Sequence, residues 1–358
     1  MNNIKKYIAF SCFVVAVYYS NAQTAGDYRP WMDSIYSNIS HYFYDAGNKL
    51  YYEEYAPGEK QVHSFLWPLC ALIQAANEAA VINPSVNYVQ PAVDAIDQYY
   101  TTATPLPSYQ ASVVKEKKDD AFYDDNQWIA IAYIDIYNRT NEKKYLDVAK
   151  AVYDFMMTGY DTAAGGGLYW KYADKTTKNT CSNGPGILIA LQLYKITDDK
   201  RYLQTAIRLY DWVNMHLQAP DDLYYDNIKI PSLKIDSVKY TYNTGTMLQS
   251  NVLLYNITHE KKYLQRAEAM AASATKFFYR KNKLPGNYWF NAVMLRGYIE
   301  LYRINHDKNL LGFWYDEAER IWHDEKDANG LLGRNVKKKS LIDQAAMLEI
   351  YARLQALK

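Results

Sequence analysis

The sequence predicts an all-α protein in which six helical hairpins close into a ring, the (α/α)6 barrel or six-hairpin toroid. Three observations lead to this fold class. A polar motif flanked by tyrosines recurs along the chain, apolar residues recur at helical spacing between its copies, and strand-like alternation is scarce. With 49% hydrophobic residues and 37 tyrosines, the 358-residue chain has ample apolar surface for such a core.

The recurring motif reads as the end of one helix, a tight polar turn and the start of the next helix. Its first copy is Tyr137-Asn-Arg-Thr-Asn-Glu-Lys-Lys-Tyr145, and the leading tyrosines of the later copies, Tyr194, Tyr255 and Tyr302, follow at intervals of 57, 61 and 47 residues. Each copy therefore predicts an αα-hairpin. Extended along the chain, the pattern predicts twelve helices, near residues 30–44, 64–82, 87–103, 124–140, 142–157, 182–197, 199–217, 242–257, 260–276, 287–304, 308–324 and 339–357, with short strand-like stretches at 224–230 and 234–240.

The last predicted helix favours a closed ring over an open solenoid. A solenoid needs polar capping helices at both ends. The last helix is instead rich in apolar residues: Leu341, Ile342, Ala345, Ala346, Leu348, Leu354 and Leu357. No stretch rich in Pro, Gly or Ser interrupts the chain, so we expect a single (α/α)6 domain over residues 23–358.

The first 22 residues predict a signal peptide. Lys5 and Lys6 precede an apolar run over residues 7–19, and the small residues Ser20 and Ala22 follow it. The run is shorter than the roughly 18 residues that a membrane span needs. We therefore expect cleavage after Ala22, export to the periplasm or the extracellular space, and no membrane span in the mature chain.

Charge, cysteine content and missing motifs exclude several classes of protein. A net charge of +1 gives no electrostatic reason to expect a nucleic-acid partner. The mature chain keeps Cys70 and Cys181, enough for one disulfide bridge and too few for a disulfide framework. The sequence has no His-Glu-x-x-His motif, no Gly-x-Ser-x-Gly elbow and no phosphate-binding glycine loop. We expect no metal, no cofactor and a monomer.

In a closed ring, the six inner helices would all begin at one face, together with the long loops before them. The residues at those starts are mainly aromatic, amide and hydroxyl side chains, within 63–67, 124–128, 182–186, 242–245, 287–289 and 340–344. Aromatic rings can stack on sugar rings, and amide, hydroxyl and carboxylate groups can bind sugar hydroxyls. This face therefore predicts a glycan-binding site. The alternative interpretation is that the Ser, Asn and Asp residues simply cap helices.

The pair Asp124-Asp125 is the strongest candidate for chemistry. Of the other Asp-Asp dipeptides, 119–120 follows a run of charged residues, 198–199 lies in a repeat turn on the opposite face, and 221–222 lies in a loop. Only Asp124 and Asp125 are enclosed by aromatic residues at the mouth of the predicted ring. The alternative interpretation is that two acids merely stabilise a helix N-terminus.

Two neighbouring carboxyl groups can divide the two roles in glycoside hydrolysis. One must be ionised, to attack or to activate water, and the other must be protonated, to give its proton to the leaving oxygen. The repulsion between the charges separates the two pKa values. Adjacent side chains at a helix start lie close together, which suits the roughly 5–5.5 Å separation of a retaining glycosidase, so we expect retention.

Five motifs follow one another between residues 120 and 250. They are Tyr123-Asp124-Asp125-Asn-Gln-Trp128, Gly165-Gly-Gly-Leu-Tyr-Trp170-Lys171, Ser182-Asn183-Gly184-Pro185-Gly186, Leu223-Tyr-Tyr-Asp226 and Tyr242-Asn243-Thr-Gly245. In this order and spacing they resemble glycoside hydrolase family 76, the bacterial and fungal α-1,6-mannanases. The resemblance implies an (α/α)6 barrel, endo-hydrolysis of α-1,6-mannan backbones and retention of anomeric configuration.

The resemblance also implies roles for individual residues. Asp124 would be the nucleophile and Asp125 the general acid/base, with α-mannan polysaccharide or oligosaccharide as the partner. Thr244 stands where family members often carry Gln, and Asn126-Gln127 departs from the commoner residues after the pair, which leaves subsite preference open. The positions that would line the substrate groove are Trp128, Trp170, Asn183, Asp226, Tyr242 and Asn243.

Three other interpretations are left open by the sequence. The same toroid could carry an exo-mannosidase or a hydrolase of unsaturated glucuronides, although the inner-helix starts have almost no Arg or Lys to bind a uronate. The chain could bind mannan without turnover, although both aspartates are present. It could also be a helical protein-binding scaffold, which predicts an exposed groove in place of a closed ring.

Overall fold

The computed structural model describes residues 26–358, so the predicted signal peptide at 1–22 lies outside the described residues. None of the helices in this range combines the length and the apolar character that crossing a bilayer requires. The described chain forms twelve α-helices: α1 Arg29–Asn38, α2 Leu66–Ile82, α3 Val89–Ile96, α4 Tyr123–Thr140, α5 Lys143–Met157, α6 Thr180–Thr197, α7 Lys200–Leu217, α8 Thr241–Thr258, α9 Lys261–Phe278, α10 Tyr288–Asn305, α11 Gly312–Asp324 and α12 Leu341–Gln355.

The even-numbered helices form an inner ring and the odd-numbered helices an outer ring. Each inner helix packs against the next, from α2 through α12, and α12 packs back against α2. An inner helix is buried on every side, as α6 is without interruption from Thr180 to Leu191, whereas an outer helix such as α7 buries one face. The ring is closed, which confirms the predicted (α/α)6 barrel.

Two glycines allow the inner helices α8 and α10 to pack closely. A Cβ added to Gly245 would lie 2.5 Å from Cα of Met294, and one added to Gly297 would lie 2.9 Å from the backbone oxygen of Gly245. A larger side chain at either position would push the helices apart. The glycine in the Tyr242–Gly245 motif therefore allows close packing of two inner helices.

The recurring motif forms the turn from an inner helix into the next outer helix. Its fifth residue adopts a left-handed conformation, and its N–H donates to the carbonyl of the leading tyrosine, which satisfies an otherwise free helix-end carbonyl. These turns end α4, α6, α8 and α10, opposite the face where those helices begin. The residues and their φ angles are Asn141 at 61°, Asp198 at 54°, His259 at 59° and His306 at 55°.

The nine short strands of the described residues all lie in the loops that precede inner helices. The pairing of β3 with β9 joins the loop before α2 to the loop before α12, and β6, β7 and β8 form an antiparallel sheet beside the starts of α6 and α8. β7 and β8 fall within the predicted strand-like stretches. The strands are β1 Tyr44–Asp45, β2 Leu50–Tyr51, β3 Glu54–Tyr55, β4 Tyr100–Thr101, β5 Ser108–Tyr109, β6 Thr177–Asn179, β7 Asn227–Lys229, β8 Ile235–Asp236 and β9 Lys339–Ser340.

The predicted helix over residues 87–103 is wrong beyond Ile96. A 3-10 turn over Asp97–Tyr99 follows α3, and the chain then enters β4, which pairs antiparallel with β5. The backbone of residues 100–101 thus bonds to residues 108–109 rather than within a helix. This choice depends on pairing with the next strand in the sequence, which helical periodicity does not reveal.

Candidate active site

The loops before the inner helices enclose a cavity of about 670 Å³ at the face where those helices begin. Within the described chain no Lys, Arg or His lines this cavity. Apolar ring surfaces beside uncharged and acidic polar groups match the surface that a neutral carbohydrate would contact. The aromatic and acidic lining residues are Phe65, Trp67, Phe122, Trp128, Trp170, Tyr240, Tyr242, Trp289, Phe290, Asp119, Asp124, Asp125 and Asp226.

Asp124 and Asp125 lie in the first turn of α4 and are unequally hydrogen-bonded. Oδ2 of Asp124 accepts a hydrogen bond from Nε1 of Trp170 at 2.9 Å, and Oδ1 accepts one from the backbone N–H of Asp125 at 3.0 Å. From residue 26 to residue 358, no group donates a hydrogen bond to the carboxyl group of Asp125. The two neighbours therefore differ in how well a negative charge on each is stabilised.

The backbone on both sides holds Trp170 against α4. Its carbonyl accepts a hydrogen bond from the N–H of Tyr123, the first residue of α4, at 2.9 Å, and its own N–H donates to the carbonyl of Thr177 at 3.1 Å. The indole also packs against the ring of Phe122, with centroids 5.1 Å apart. The Gly165–Lys171 segment is thereby joined to the helix start that carries Asp124.

Each of the two cysteines within residues 26–358 contacts one member of the aspartate pair, from a different inner helix. Sγ of Cys70, on α2, donates to the backbone carbonyl of Asp125 at 3.2 Å. The thiol of Cys181, on α6, contacts the carboxyl group of Asp124. Both cysteines are buried free thiols, so the single disulfide that the sequence would allow is not formed.

Burial raises the pKa of both carboxyl groups, but other influences separate them. For Asp124, the neighbouring Cys181 thiol and the hydrogen bond from Trp170 stabilise the ionised form and oppose the effect of burial on the pKa. For Asp125, burial and the negative charge of Asp124 act in the same direction and raise the pKa well above its ordinary value. The pair titrates as a unit, and its first negative charge is best placed on Asp124.

Three more of the predicted groove residues line the cavity. Trp128 is almost fully buried in its floor and meets Trp289 edge to face, with ring centroids 5.6 Å apart. The ring of Tyr242 stacks on Phe290 at a centroid distance of 4.0 Å. Asp226 is mostly enclosed by protein, which raises the pKa of its carboxyl group. The structure therefore brings these three residues together with Trp170 around the aspartate pair.

The other two predicted groove residues do not line the cavity. Asn183 is fully buried, and its side-chain amide donates to the carbonyls of Leu168 and Asn179 at 3.0 and 2.8 Å. Asn243 is also fully buried, and its Nδ2 donates to Oδ1 of Asp226 at 3.2 Å. Asn183 thus holds the backbone next to Trp170, and Asn243 orients Asp226.

The remaining Asp-Asp dipeptides have other partners. Asp198 and Asp199 cap helices on the opposite face, as predicted, and Asp221 pairs with Lys239 at 2.7 Å. The interpretation of Asp119 as part of a solvated run is incomplete, because this residue lines the cavity and accepts a hydrogen bond from Ser112 at 2.6 Å. Over residues 26–358, no cluster of three His, Cys, Asp or Glu side chains is arranged to hold a metal ion.

Three polar atoms in the cavity wall were not assigned from the sequence. Nε1 of Trp289, Oδ1 of Asn179 and Oδ1 of Asn227 are buried and have no hydrogen-bond partner within the described residues. The two asparagines face each other across the β6–β7 pair. Their positions, just before α6 and just after Asp226, adjoin two of the sequence motifs. One donor and two acceptors in the wall are thus left without partners, and these atoms expose almost no surface to the cavity.

A closed helical barrel with paired carboxyl groups in an aromatic cavity fits the general class of glycoside hydrolases. The profile of Glycosyl hydrolase family 76 matches residues 33–292 of this chain. The chain therefore belongs to glycosyl hydrolase family 76, as the resemblance of its motifs implied.

Characterised relatives include fungal proteins that match part of the chain. Mannan endo-1,6-alpha-mannosidase DCW1 of Saccharomyces cerevisiae is 31% identical over 149 residues, which cover 39% of this chain and 33% of the yeast protein. The protein of the same name from Candida albicans is 32% identical over 146 residues. The chain thus matches about a third of the length of these relatives.

Solved structures match nearly the whole described ring. A GH76 alpha-mannanase of Bacteroides thetaiotaomicron has a TM-score of 0.86 at 26% identity, over 93% of this chain and 96% of that chain. An inactive double aspartate-to-asparagine variant of a Salegentibacter alpha-1,6-mannanase, in complex with alpha-1,6-mannotriose, has a TM-score of 0.78 at 20% identity, over 91% and 98% of the two chains. The second likeness shows a shared fold.

Proposed function

We propose that this chain is a retaining endo-α-1,6-mannanase, with Asp124 as the nucleophile and Asp125 as the general acid/base. The observation that carries the assignment of roles is the unequal hydrogen bonding of the pair. Asp124 accepts hydrogen bonds from the Trp170 indole and from the backbone of α4, whereas Asp125 accepts none from the described residues.

The environment of Asp124 suits a nucleophile. A carboxylate must be ionised to attack an anomeric carbon, and hydrogen-bond donors together with the positive end of the α4 dipole favour the ionised form. The Trp170 indole supplies a donor that cannot take up the charge. Its fixed backbone keeps this donor in place during turnover.

The environment of Asp125 suits a proton donor. Burial and the neighbouring negative charge both favour the protonated form at neutral pH. In the first step Asp124 bonds to the anomeric carbon, the glycosidic C–O bond breaks, and the proton of Asp125 goes to the leaving oxygen. In the second step Asp125 takes a proton from water, whose oxygen bonds to the anomeric carbon and releases Asp124.

The lining of the cavity supports a neutral sugar. Exposed aromatic rings such as Trp170 offer stacking surfaces for the apolar faces of a sugar ring. A uronide hydrolase would need a cation beside the sugar carboxylate, and the described lining has none. Asn183 and Asn243 act through their neighbours in this proposal rather than by touching the glycan.

The choice of α-1,6-mannan and of internal cleavage rests on the relatives. Family membership, together with the names of the Saccharomyces and Candida relatives, favours an endo-acting mannosidase over an exo enzyme. Retention rests on the adjacency of the two aspartates. Export rests on the signal-peptide pattern at 1–22, and mature chain isolated from the periplasm or the medium should begin at Gln23.

The test is hydrolysis of linear α-1,6-mannan by the mature chain beside Asp124→Asn and Asp125→Asn, with the exposed outer-helix substitution Asp147→Asn as a matched control. We expect oligosaccharides of mixed length, with the α-anomer formed first by NMR, and a loss of at least roughly 100-fold in both site variants. Asp147→Asn should retain full activity. Mannose as the sole product would contradict endo action, and a β-anomer formed first would contradict retention.

A second substrate separates the two roles. An aryl α-mannobioside with a good leaving group does not need a proton at its leaving oxygen. Asp125→Asn should therefore still form the glycosyl-enzyme with this substrate and release a burst of aryl alcohol, whereas Asp124→Asn should release none. The reverse pattern would exchange the two roles.

A further inference from the structure

The cavity that holds Asp124 and Asp125 is the catalytic cavity of the proposed function. A groove of about 620 Å³, the basic groove, opens beside it. Its lining includes Lys239, Arg280 and Lys283, and it shares Tyr240 and Phe290 with the catalytic cavity. A glycan chain that leaves the cavity over these two rings therefore enters the basic groove directly.

Aromatic rings continue from one site into the other. Tyr242 in the catalytic cavity stacks on Phe290, and Tyr240 lies 5.8 Å from Phe290 between ring centroids. Deeper in the basic groove, Nζ of Lys239 lies 5.0 Å from the centre of the Phe277 ring, and the guanidinium of Arg280 lies 4.9 Å from it. The rings thus form a path whose far end is positively charged.

A tight turn holds two of the cations side by side. The N–H of Arg280 donates to the carbonyl of Lys283 at 3.0 Å, and the N–H of Lys283 donates back at 3.1 Å. Lys281 and Asn282 between them have φ angles of 53° and 56°, as in a hairpin turn of type I′. The side chains of the directly opposed residues Arg280 and Lys283 consequently reach the same groove.

The charge of the basic groove is the opposite of that of the catalytic cavity. Lys239 is paired with Asp221 at 2.7 Å, but no Asp or Glu of the described chain lines the groove, and Arg280 and Lys283 are both exposed. The catalytic cavity has four aspartates and no described cation. An anionic group on a glycan would be repelled from the cavity and attracted to the groove.

We propose that the basic groove is a distal subsite for an anionic substituent, a phosphate ester or a carboxylate, on a glycan whose neutral backbone occupies the catalytic cavity. This inference rests on the proposed function for the position of the backbone. Arg280 can bind two oxygens of the anion through its planar guanidinium, and Lys283 adds a second charge.

The test compares a phosphorylated α-1,6-mannan with the same polymer after enzymatic removal of phosphate, and with a carboxylated preparation of it. The double variant Arg280→Gln/Lys283→Gln is measured beside Lys200→Gln/Lys261→Gln, which removes two exposed lysines from the opposite face. The readouts are the ratio of kcat/KM between charged and neutral polymers, its dependence on NaCl, and calorimetric binding of a phosphorylated mannose oligosaccharide.

We expect the unaltered chain to prefer a charged polymer, and the groove variant to lower that preference by roughly three- to tenfold, as does raised salt. The control variant should keep the preference. A phosphate-only or carboxylate-only preference identifies the anion. The inference is overturned if the groove variant and the unaltered chain show the same ratio of kcat/KM for charged over neutral polymer. Failure to cleave neutral mannan would refute the proposed function, while calorimetric binding that is lost in the groove variant would still support the anion site.

Discussion

The two ends of the inner ring differ in whether a cation lies beside their carboxyl groups. Where the inner helices begin, Asp124 and Asp125 lie in a cavity whose described lining contains no cation. Where they end, a cavity of about 550 Å³ contains Asp135, whose Oδ2 accepts a hydrogen bond from Nη2 of Arg296 at 2.7 Å. Other cations at this end lie in the last turns of inner helices, where the helix dipole favours them: Arg139, Lys195, Arg303 and Arg353.

The comparison shows that burial alone does not prepare a carboxyl group for chemistry. Burial raises the pKa of Asp124, Asp125 and Asp135. Only Asp135 has a guanidinium beside it that opposes the rise and holds the ionised form in place. At the other end, hydrogen bonds stabilise one charge and leave the second carboxyl group free to carry a proton.

The largest effect on stability should come from breaking the Asp135–Arg296 pair, at the end of the ring where the inner helices finish. Arg296→Met leaves the partly buried Asp135 without this cation and removes the hydrogen bond to Gln74, so the free energy of unfolding should fall by about 3 kcal/mol. Urea denaturation followed by circular dichroism measures the change. Arg303→Met, which breaks an exposed pair with Glu300, should change stability by about 1 kcal/mol or less. Equal effects would contradict the contrast between the pairs.

The next effect concerns the donor to Asp124. Trp170→Phe keeps a ring in the wall but removes the hydrogen bond, so kcat/KM at neutral pH should fall roughly 10- to 100-fold. The lost donor stabilised the ionised form, so the pKa of Asp124 rises, and the acid limb of the pH–rate profile moves to higher pH. Phe65→Leu, which changes another part of the cavity wall, should leave the acid limb in place. If the acid limb of the pH–rate profile does not move in Trp170→Phe, the hydrogen bond from Trp170 no longer supports Asp124 as the nucleophile.

Replacing one aspartate by asparagine at each end of the ring should change stability in opposite directions. The pKa of Asp125 is higher in the folded chain than in the unfolded chain, so folding becomes less favourable as pH rises above the pKa of the unfolded chain. Asp125→Asn removes this cost. The variant should gain roughly 0.5–2 kcal/mol of stability at pH 7 while losing activity. Asp135→Asn should instead lose stability, because Arg296 is left buried without its partner. Thermal unfolding at pH 7 and pH 4 compares them. The gain for Asp125→Asn should shrink at pH 4, and a loss of stability at both pH values would contradict the assigned proton.

The smallest effect should come from the thiol beside Asp124. A thiol is a weak donor, so Cys181→Ala should lower kcat/KM by about two- to fivefold and move the acid limb slightly upward. Cys70→Ala should not move the limb, because its thiol bonds to a backbone carbonyl. Pre-incubation with a reductant should leave the melting temperature of the unaltered chain unchanged, since both cysteines are free. A shift of the acid limb of the pH–rate profile with Cys70→Ala would contradict the claim that only Cys181 affects the pKa of Asp124.

Local patterns predicted the parts of the molecule that depend on neighbours in sequence. The fifth residue of each repeat takes the left-handed conformation because a helix ends there, and the period from Tyr137 to Tyr302 reports the hairpins. The same local reasoning was wrong after Ile96, where β4 found a partner in β5. Asn183 and Trp289 show the same limit in the site, because motif membership does not tell which face of a helix start meets the cavity.

The sequence by itself determined the helical hairpins, the closed ring, the family and the position of the aspartate pair at a helix start. These follow from periodicity, from short-range turns and from a set of motifs in order. Only the tertiary structure decided that Trp170 donates to Asp124, that Cys70 and Cys181 contact the pair from separate helices without bonding to each other, and that Asp125 has no donor among the described residues. The physical reason is that these contacts join residues about 45 to 57 positions apart, whose distances are set by packing around the whole ring.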